Sequence, residues 1–76
     1  MINNYISEFN NPKLHAAYFT YNKKQYVFSG WWLLEWNNGE KIYDSVSDFL
    51  SDNIFDGKRL EEIIDEITDV SFDYDP

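Results

Sequence analysis

The fold is decided by one stretch, residues 15–36, which reads HAAYFTYNKKQYVFSGWWLLEW. Aromatic residues alternate there with small or polar ones, a pattern typical of β-strands with one buried face. We predict a strand over His15–Tyr21, a turn at Asn22–Lys24 and a second strand over Gln25–Ser29. The stretch therefore predicts a β-hairpin.

The rest of the stretch predicts further strands. Gly30 interrupts the pattern, which suggests a bulge or a bend. Trp31–Trp36 is almost continuously apolar and favours a central strand buried on both faces, with a single helical turn as the alternative. Asn37–Gly39 tolerates positive φ and predicts a hairpin turn, which leads into a strand over Glu40–Tyr43.

Helical patterns flank this region. Near the N-terminus the apolar residues follow helical spacing: Ile2, Tyr5, Ile6 and Phe9. Ser45 and Asp48 have the form of a capping box for a second helix. Asp56 is the predicted N-cap of a third helix, whose apolar stripe is Leu60, Ile63, Ile64 and Ile67. Alternation over residues 70–75 predicts a last strand.

These elements predict one α+β domain over residues 1–76, since a chain of 76 residues allows a single domain. We expect a small, mainly antiparallel sheet of four to five strands in the order α-β-β-β-β-α-α-β, with the helices packed on one face. Aromatic residues make up 20 % of the chain and can supply the large buried area that a small domain needs.

The negative charge is confined to one half of the chain. Residues 1–43 hold three acids against four lysines, whereas residues 44–76 hold eleven acids against Lys58 and Arg59. The net charge of −8 disfavours direct binding to nucleic acid and to anionic membranes. The chain has no Cys, no apolar run of spanning length and no secretory signal, so we expect a cytoplasmic protein.

No catalytic motif is present. The chain has one His, no Cys and three Gly, and no phosphate-cradling Gly run occurs. Residues 52–57 begin like a calcium loop, but Ile54 and Ile63 stand where that loop needs oxygen ligands. We therefore expect no enzyme, no cofactor and no dedicated metal site, with weak cation binding by the acids as the alternative.

Acids recur every four residues in the C-terminal half. Like charges at this spacing on a helix repel by roughly 0.2–0.5 kcal/mol per pair. One interpretation is a solvated surface that maintains solubility. The other is an acidic helical surface that docks on a basic, nucleic-acid-binding protein. Its predicted contacts are Asp44, Asp48, Asp52, Glu61, Glu62, Asp65, Glu66 and Asp69. Crowding is also expected to raise the pKa values of these carboxyls, so that stability rises from pH 7 toward about pH 5.

The tryptophans Trp31, Trp32 and Trp36 are either core residues or anchors of an interface. Adjacent side chains on a strand point to opposite faces. If helices cover only one face, one of Trp31 and Trp32 is exposed, and exposed Trp is a common interface anchor. This observation supports an alternative function, a self-associating or scaffold domain that forms a homodimer through its aromatic strands.

In size, acidity and lack of catalytic residues the chain resembles the small inhibitors encoded by phages and mobile elements. These include anti-CRISPR proteins, other DNA mimics and some bacterial immunity proteins. The resemblance rests on charge and size over residues 44–76, and it transfers no functional residue. It implies a non-catalytic protein that binds and inhibits another protein.

Overall fold

A computed structural model describes residues 5–76. Its elements are α1 (Tyr5–Phe9), β1 (Leu14–Tyr21), β2 (Lys24–Ser29), β3 (Leu33–Trp36), β4 (Gly39–Ile42), α2 (Val46–Ser51), α3 (Leu60–Ile63) and β5 (Thr68–Tyr74). The strands form one antiparallel sheet in the order β4-β3-β2-β1-β5. The predicted fold class and element order are confirmed. Ile2, which the first helix was predicted to include, lies outside the described residues.

A two-residue turn joins β1 to β2. Tyr21 pairs with Lys24, and the two residues between them, Asn22 and Lys23, have φ angles of 49° and 66°. Short hairpins favour such turns because their twist matches that of the flanking strands. The turn is thus one residue shorter than predicted, and Lys24 is the first residue of β2.

A bend separates β2 from β3 and corrects the prediction of one strand over Trp31–Trp36. A Cβ atom at Gly30 would lie 2.2 Å from the carbonyl oxygen of Leu14, so only glycine fits this approach to β1. The Trp32 amide then donates to the carbonyl of Ser29 at 2.9 Å, and Trp32 adopts a φ of 67°. Trp31 and Trp32 therefore lie in a turn, and β3 begins at Leu33.

The predicted cap of α2 is confirmed, whereas the predicted cap of α3 is wrong. The Ser45 hydroxyl accepts a hydrogen bond of 3.1 Å from the Asp48 amide. Asp56, in contrast, lies with Gly57 in a tight turn at φ angles of 55° and 82°, closed by backbone bonds between Phe55 and Lys58. Asp-Gly is a favoured pair for such a turn. The N-cap position of α3 belongs to Arg59.

Helix α3 is also shorter than its apolar stripe predicts. The helix ends at Ile63, although Ile67 still lies in the core and is only 8 % exposed. From Thr68 onward the chain pairs with β1. Tertiary pairing with the sheet therefore overrides the local helical pattern.

The core lies between the helices and one face of the sheet. Phe49 of α2 stacks on Phe28 of β2 with ring centroids 4.0 Å apart, and both are almost completely buried. Phe9 of α1 contacts both rings. Leu60 and Ile63 extend the same core from α3. Within residues 5–76, no helix has the length and hydropathy that crossing a membrane requires.

The opposite face of the sheet, here called the outer face, carries no described helix. Residues directly paired on neighbouring strands share a face. The outer-face residues, related by pairing and by alternation along each strand, are Ala16, Tyr18, Thr20, Gln25, Val27, Ser29, Leu33, Glu35, Glu40, Ile42, Thr68, Ser71 and Asp73. The paired residues Ala16 and Ser29 are buried at one end of this face, whereas the others are partly or fully exposed and lie outside the core cluster.

We predict that Lys23→Gly stabilises the protein by roughly 0.5–1 kcal/mol. A left-handed backbone strains a lysine, and the relief exceeds the extra flexibility that glycine gives the unfolded chain. Lys24→Gly is the matched control, because it removes the same charge from a strand position and should destabilise by roughly 0.5–1 kcal/mol. Urea unfolding of both variants measures the difference. Equal changes in the two variants would contradict the prediction.

Candidate protein-binding surfaces

Four of the predicted acidic contacts lie exposed on the helical side of the domain. Asp44 precedes α2, Asp48 lies in its first turn, and Asp65 and Glu66 follow α3. Among the residues 5–76 none of these four carboxylates forms an ion pair. Their charges are therefore presented to solvent.

Asp52 instead has a structural role. Its Oδ2 accepts from Lys41 Nζ at 2.6 Å and from the Tyr43 hydroxyl at 2.7 Å. These bonds tie the end of α2 to the edge strand β4. The hydrogen bond from Lys41, followed by the one from Tyr43, lowers the pKa of Asp52 below its ordinary value of 3.8. Burial and the same bond raise the pKa of Tyr43, so this hydroxyl keeps its proton.

Glu61 and Glu62 are engaged by Arg59 at the start of α3. Arg59 Nη1 lies 2.9 Å from Glu61 Oε1, and the Arg59 backbone amide donates to Glu62 Oε1 at 2.9 Å. The backbone bond is the main reason why the pKa of Glu62 is lowered. Glu62 thus completes the reciprocal side of a capping box.

Glu61, Asp65 and Asp69, which are spaced four residues apart, do not share one helix, so the predicted helical placement of this second row is wrong. Asp65 and Glu66 lie in a turn, and Asp69 belongs to β5. The expected rise of pKa through crowding is also wrong for Asp52 and Glu62, where hydrogen bonds shift the pKa downward.

Asp69 is placed by an irregularity in β5. Thr20 pairs with Thr68 but Tyr18 pairs with Ser71, so β5 holds one extra residue at this point. Asp69 lies within the bulge and adopts a φ of 54°. Bulges redirect side chains. Asp69 lines a shallow depression of about 230 Å³ that opens between β1 and β2, with Tyr18, Phe19, Thr20, Gln25, Tyr26 and Val27.

An apolar row crosses the outer face from β4 to β1. Ile42 pairs with Leu33, and Val27 pairs with Tyr18, but Val27 itself lies opposite Glu35, so the row steps by two residues between β3 and β2. Ile42 is 71 % exposed and Tyr18 is 37 % exposed. The sequence analysis missed this row, although the alternation in β1 and β2 already places Tyr18 and Val27 opposite to the buried Phe19 and Phe28.

The tryptophans separate into two environments. Trp31 is 60 % exposed and Trp32 is 42 % exposed, so both are accessible where one was expected. Trp36 is half-buried and lies beside Tyr26 on the core side of the sheet, with ring centroids 6.1 Å apart. Trp31 meets the edge of the His15 ring, whose Nδ1 lies 3.4 Å from Asp75 Oδ1. The turn at Trp31 and Trp32, rather than the strand pattern, explains why both side chains are exposed.

A second depression of about 180 Å³ lies beside Trp32. It is lined by Phe9, Asn10, Asn11, Pro12, Leu14, Phe28, Gly30, Trp32 and Val46, and none of these side chains titrates. Within residues 5–76, no three His, Asp or Glu side chains converge in the way a metal ion requires.

Comparison of the chain with protein-family models, with curated proteins and with solved structures finds no match.

We predict that Asp52 makes stability fall in acid. Because its pKa is lower in the folded state than in the unfolded state, its contribution is present above the ordinary carboxyl pKa. That contribution is lost as the pH falls through the folded-state pKa. Asp52→Asn should cost about 1 kcal/mol at pH 7 and much less at pH 2. Urea unfolding across this range measures the two profiles, and Asp48→Asn is the exposed control. Parallel profiles for Asp52→Asn and the unmodified protein would contradict the prediction.

Proposed function

We propose that this chain is a non-catalytic protein-binding module. In this proposal it is a cytoplasmic inhibitor that docks the acidic helical side on a basic, nucleic-acid-binding partner. The chain would act as a DNA mimic and occupy the partner's nucleic-acid site, as anti-CRISPR-like or immunity-type proteins do. The protein carries out no reaction of its own.

The single observation that carries this proposal is the exposure of four carboxylates that form no ion pair with any of residues 5–76: Asp44, Asp48, Asp65 and Glu66. Fixed charges of one sign attract a surface of opposite sign and accelerate its association. Asp52, Glu61 and Glu62 contribute less to such an interface, since each already has an internal partner. Trp31 is the best-placed aromatic anchor, because it is the most exposed of the three tryptophans.

We predict that Asp44→Asn/Asp48→Asn weakens the complex by up to about five-fold per carboxylate at low salt. The partner is first captured from the native cells, identified and purified, and its affinity is then measured in rising NaCl. The matched control is Asp56→Asn/Asp75→Asn, which removes the same charge away from α2. The amide oxygen introduced at position 56 can still accept from Asn22, and the change at position 75 affects only an exposed contact with His15. Asp52 stays intact because it holds Lys41 and Tyr43.

The same assay tests inhibition. The protein should displace nucleic acid that is bound to the purified partner. An excess of nucleic acid should in turn reduce binding of the protein to the partner. An affinity that is insensitive both to salt and to the Asp44/Asp48 change would overturn the proposal. If the complex binds nucleic acid with the same affinity as the free partner, the inhibitory mechanism is overturned.

A second candidate function is self-association, which is favoured by the exposure of Tyr18 and Ile42 on the outer face. It requires a dimer in solution that Tyr18→Ala disrupts and that Asp48→Asn leaves intact. Light scattering at increasing protein concentration measures the mass. A monomer at millimolar concentration would exclude this candidate.

A further inference from the structure

The outer face combines an apolar centre with acidic flanks. The row Tyr18, Val27, Leu33 and Ile42 crosses four strands, and no described helix packs on it. Glu35 lies directly opposite Val27, and Glu40 lies directly opposite Glu35, whereas Asp69 and Asp73 lie on β5. None of the outer-face residues named above is a lysine or an arginine.

One cross-strand pair on this face is repulsive. Glu35 lies directly opposite Glu40, and both side chains are exposed. Like charges in this position destabilise a sheet. Neither carboxylate has an ion-pair partner among residues 5–76. A cation supplied by another molecule would remove this repulsion.

The depression beside Tyr18 adjoins this pair, because Val27, which lines the depression, lies directly opposite Glu35. Val27 and the Tyr18 ring provide apolar contact, and the bulge puts Asp69 at the same depression. Tyr18 also hydrogen-bonds Asp73, which is the main reason why the pKa of the Tyr18 hydroxyl is raised. Tyr18 therefore lies near two carboxylates, those of Asp73 and Asp69. Aromatic rings attract Lys and Arg cations, and apolar surfaces accommodate their aliphatic stems.

Charge complementarity decides between the occupants of this face. A second copy docked face to face would bring Glu35, Glu40, Asp69 and Asp73 against their own equivalents with no compensating base on that face. A segment in which arginines or lysines alternate with apolar residues would instead cover the row and neutralise its flanks.

We propose that the outer face is a binding site for an extended basic segment of a partner protein, with one arginine or lysine side chain inserted between Tyr18, Val27 and Asp69. This outer-face site depends on the proposed function in one respect only, namely that the partner is a basic protein. It adds a site on the face of the sheet opposite to the acidic helical side.

The experiment uses the full ¹⁵N-labelled chain and the acetylated, amidated peptide TRVRTR as the probe. Chemical shifts are followed by NMR at low salt. We expect the largest changes at the amides of Tyr18, Thr20, Val27 and Asp69, and we expect them to weaken as NaCl is added. The peptide TQVQTQ is the neutral control and should leave the spectrum unchanged at the same concentration.

Variants assign the site. Asp69→Asn should weaken binding of TRVRTR by about two- to five-fold, because it removes one exposed charge pair. Asparagine tolerates the left-handed backbone at this position. Asp69→Gly also removes the carboxylate, and glycine adopts a positive φ without strain. This variant should therefore keep the fold and weaken binding to the same extent as Asp69→Asn. Asp65→Asn is the matched control on the helical side and should bind as the unmodified protein does.

The outcomes distinguish the two proposals. Shift changes confined to the surroundings of Asp44, Asp48 and Glu66 would overturn the outer-face site and leave the acidic helical surface in place. Undisturbed spectra with the peptide would overturn the outer-face site whether or not the native partner binds. Concentration-dependent shifts of the outer face without peptide would identify a second copy as its occupant and would also overturn it. If only the Asp44→Asn/Asp48→Asn variant loses the native complex, the result supports the proposed function, and the peptide titration still decides the outer-face site.

Discussion

The stacking of Phe49 on Phe28 is the contact on which the rest of the structure depends. Phe49 is completely buried, and besides Phe28 its ring meets Phe9, Tyr43 and Phe55. One side chain therefore joins two helices, the centre of the sheet and both segments that flank α2. In a chain of 76 residues, few side chains can make so many connections. The helices are short, and this aromatic cluster rather than helix propensity holds them.

This way of building the core explains why the two faces of the domain differ. Four of the five large rings of β1 and β2 point to the helical side, where three short helices suffice to cover them, and only Tyr18 lies on the other face. No helix in residues 5–76 covers the outer face, which keeps an apolar row. The acidic residues are distributed accordingly: some fasten the helices to the sheet, as Asp52 does, while others remain available on both sides.

The sequence predicted the elements well and the connections poorly. The alternation in β1 and β2 is a local signal, and it was sufficient for the class and the element order. The turn at Trp31 and Trp32 depends on the close approach of Gly30 to Leu14, a contact between residues sixteen apart in sequence that no local pattern reveals. The same holds for α3, whose apolar stripe continues to Ile67 although pairing with β1 ends the helix at Ile63. Of the candidate contacts, the exposed acids of α2 were predictable from spacing. The position of Asp69 could not be predicted from spacing, because it depends on the bulge in β5.

The strand order has a consequence for folding. Strands β1 to β4 are neighbours in sequence and in the sheet, so each can pair through a short connection. Strand β5 pairs with β1, and Leu14 is opposite Tyr74 across almost the whole chain. Closing so long a loop is entropically costly before other contacts compensate, which makes such pairings slow to form. The β1–β4 meander is therefore expected to be an early product of folding. The bulge that positions Asp69, and with it one side of the outer-face depression, is completed only when the two ends of the chain meet.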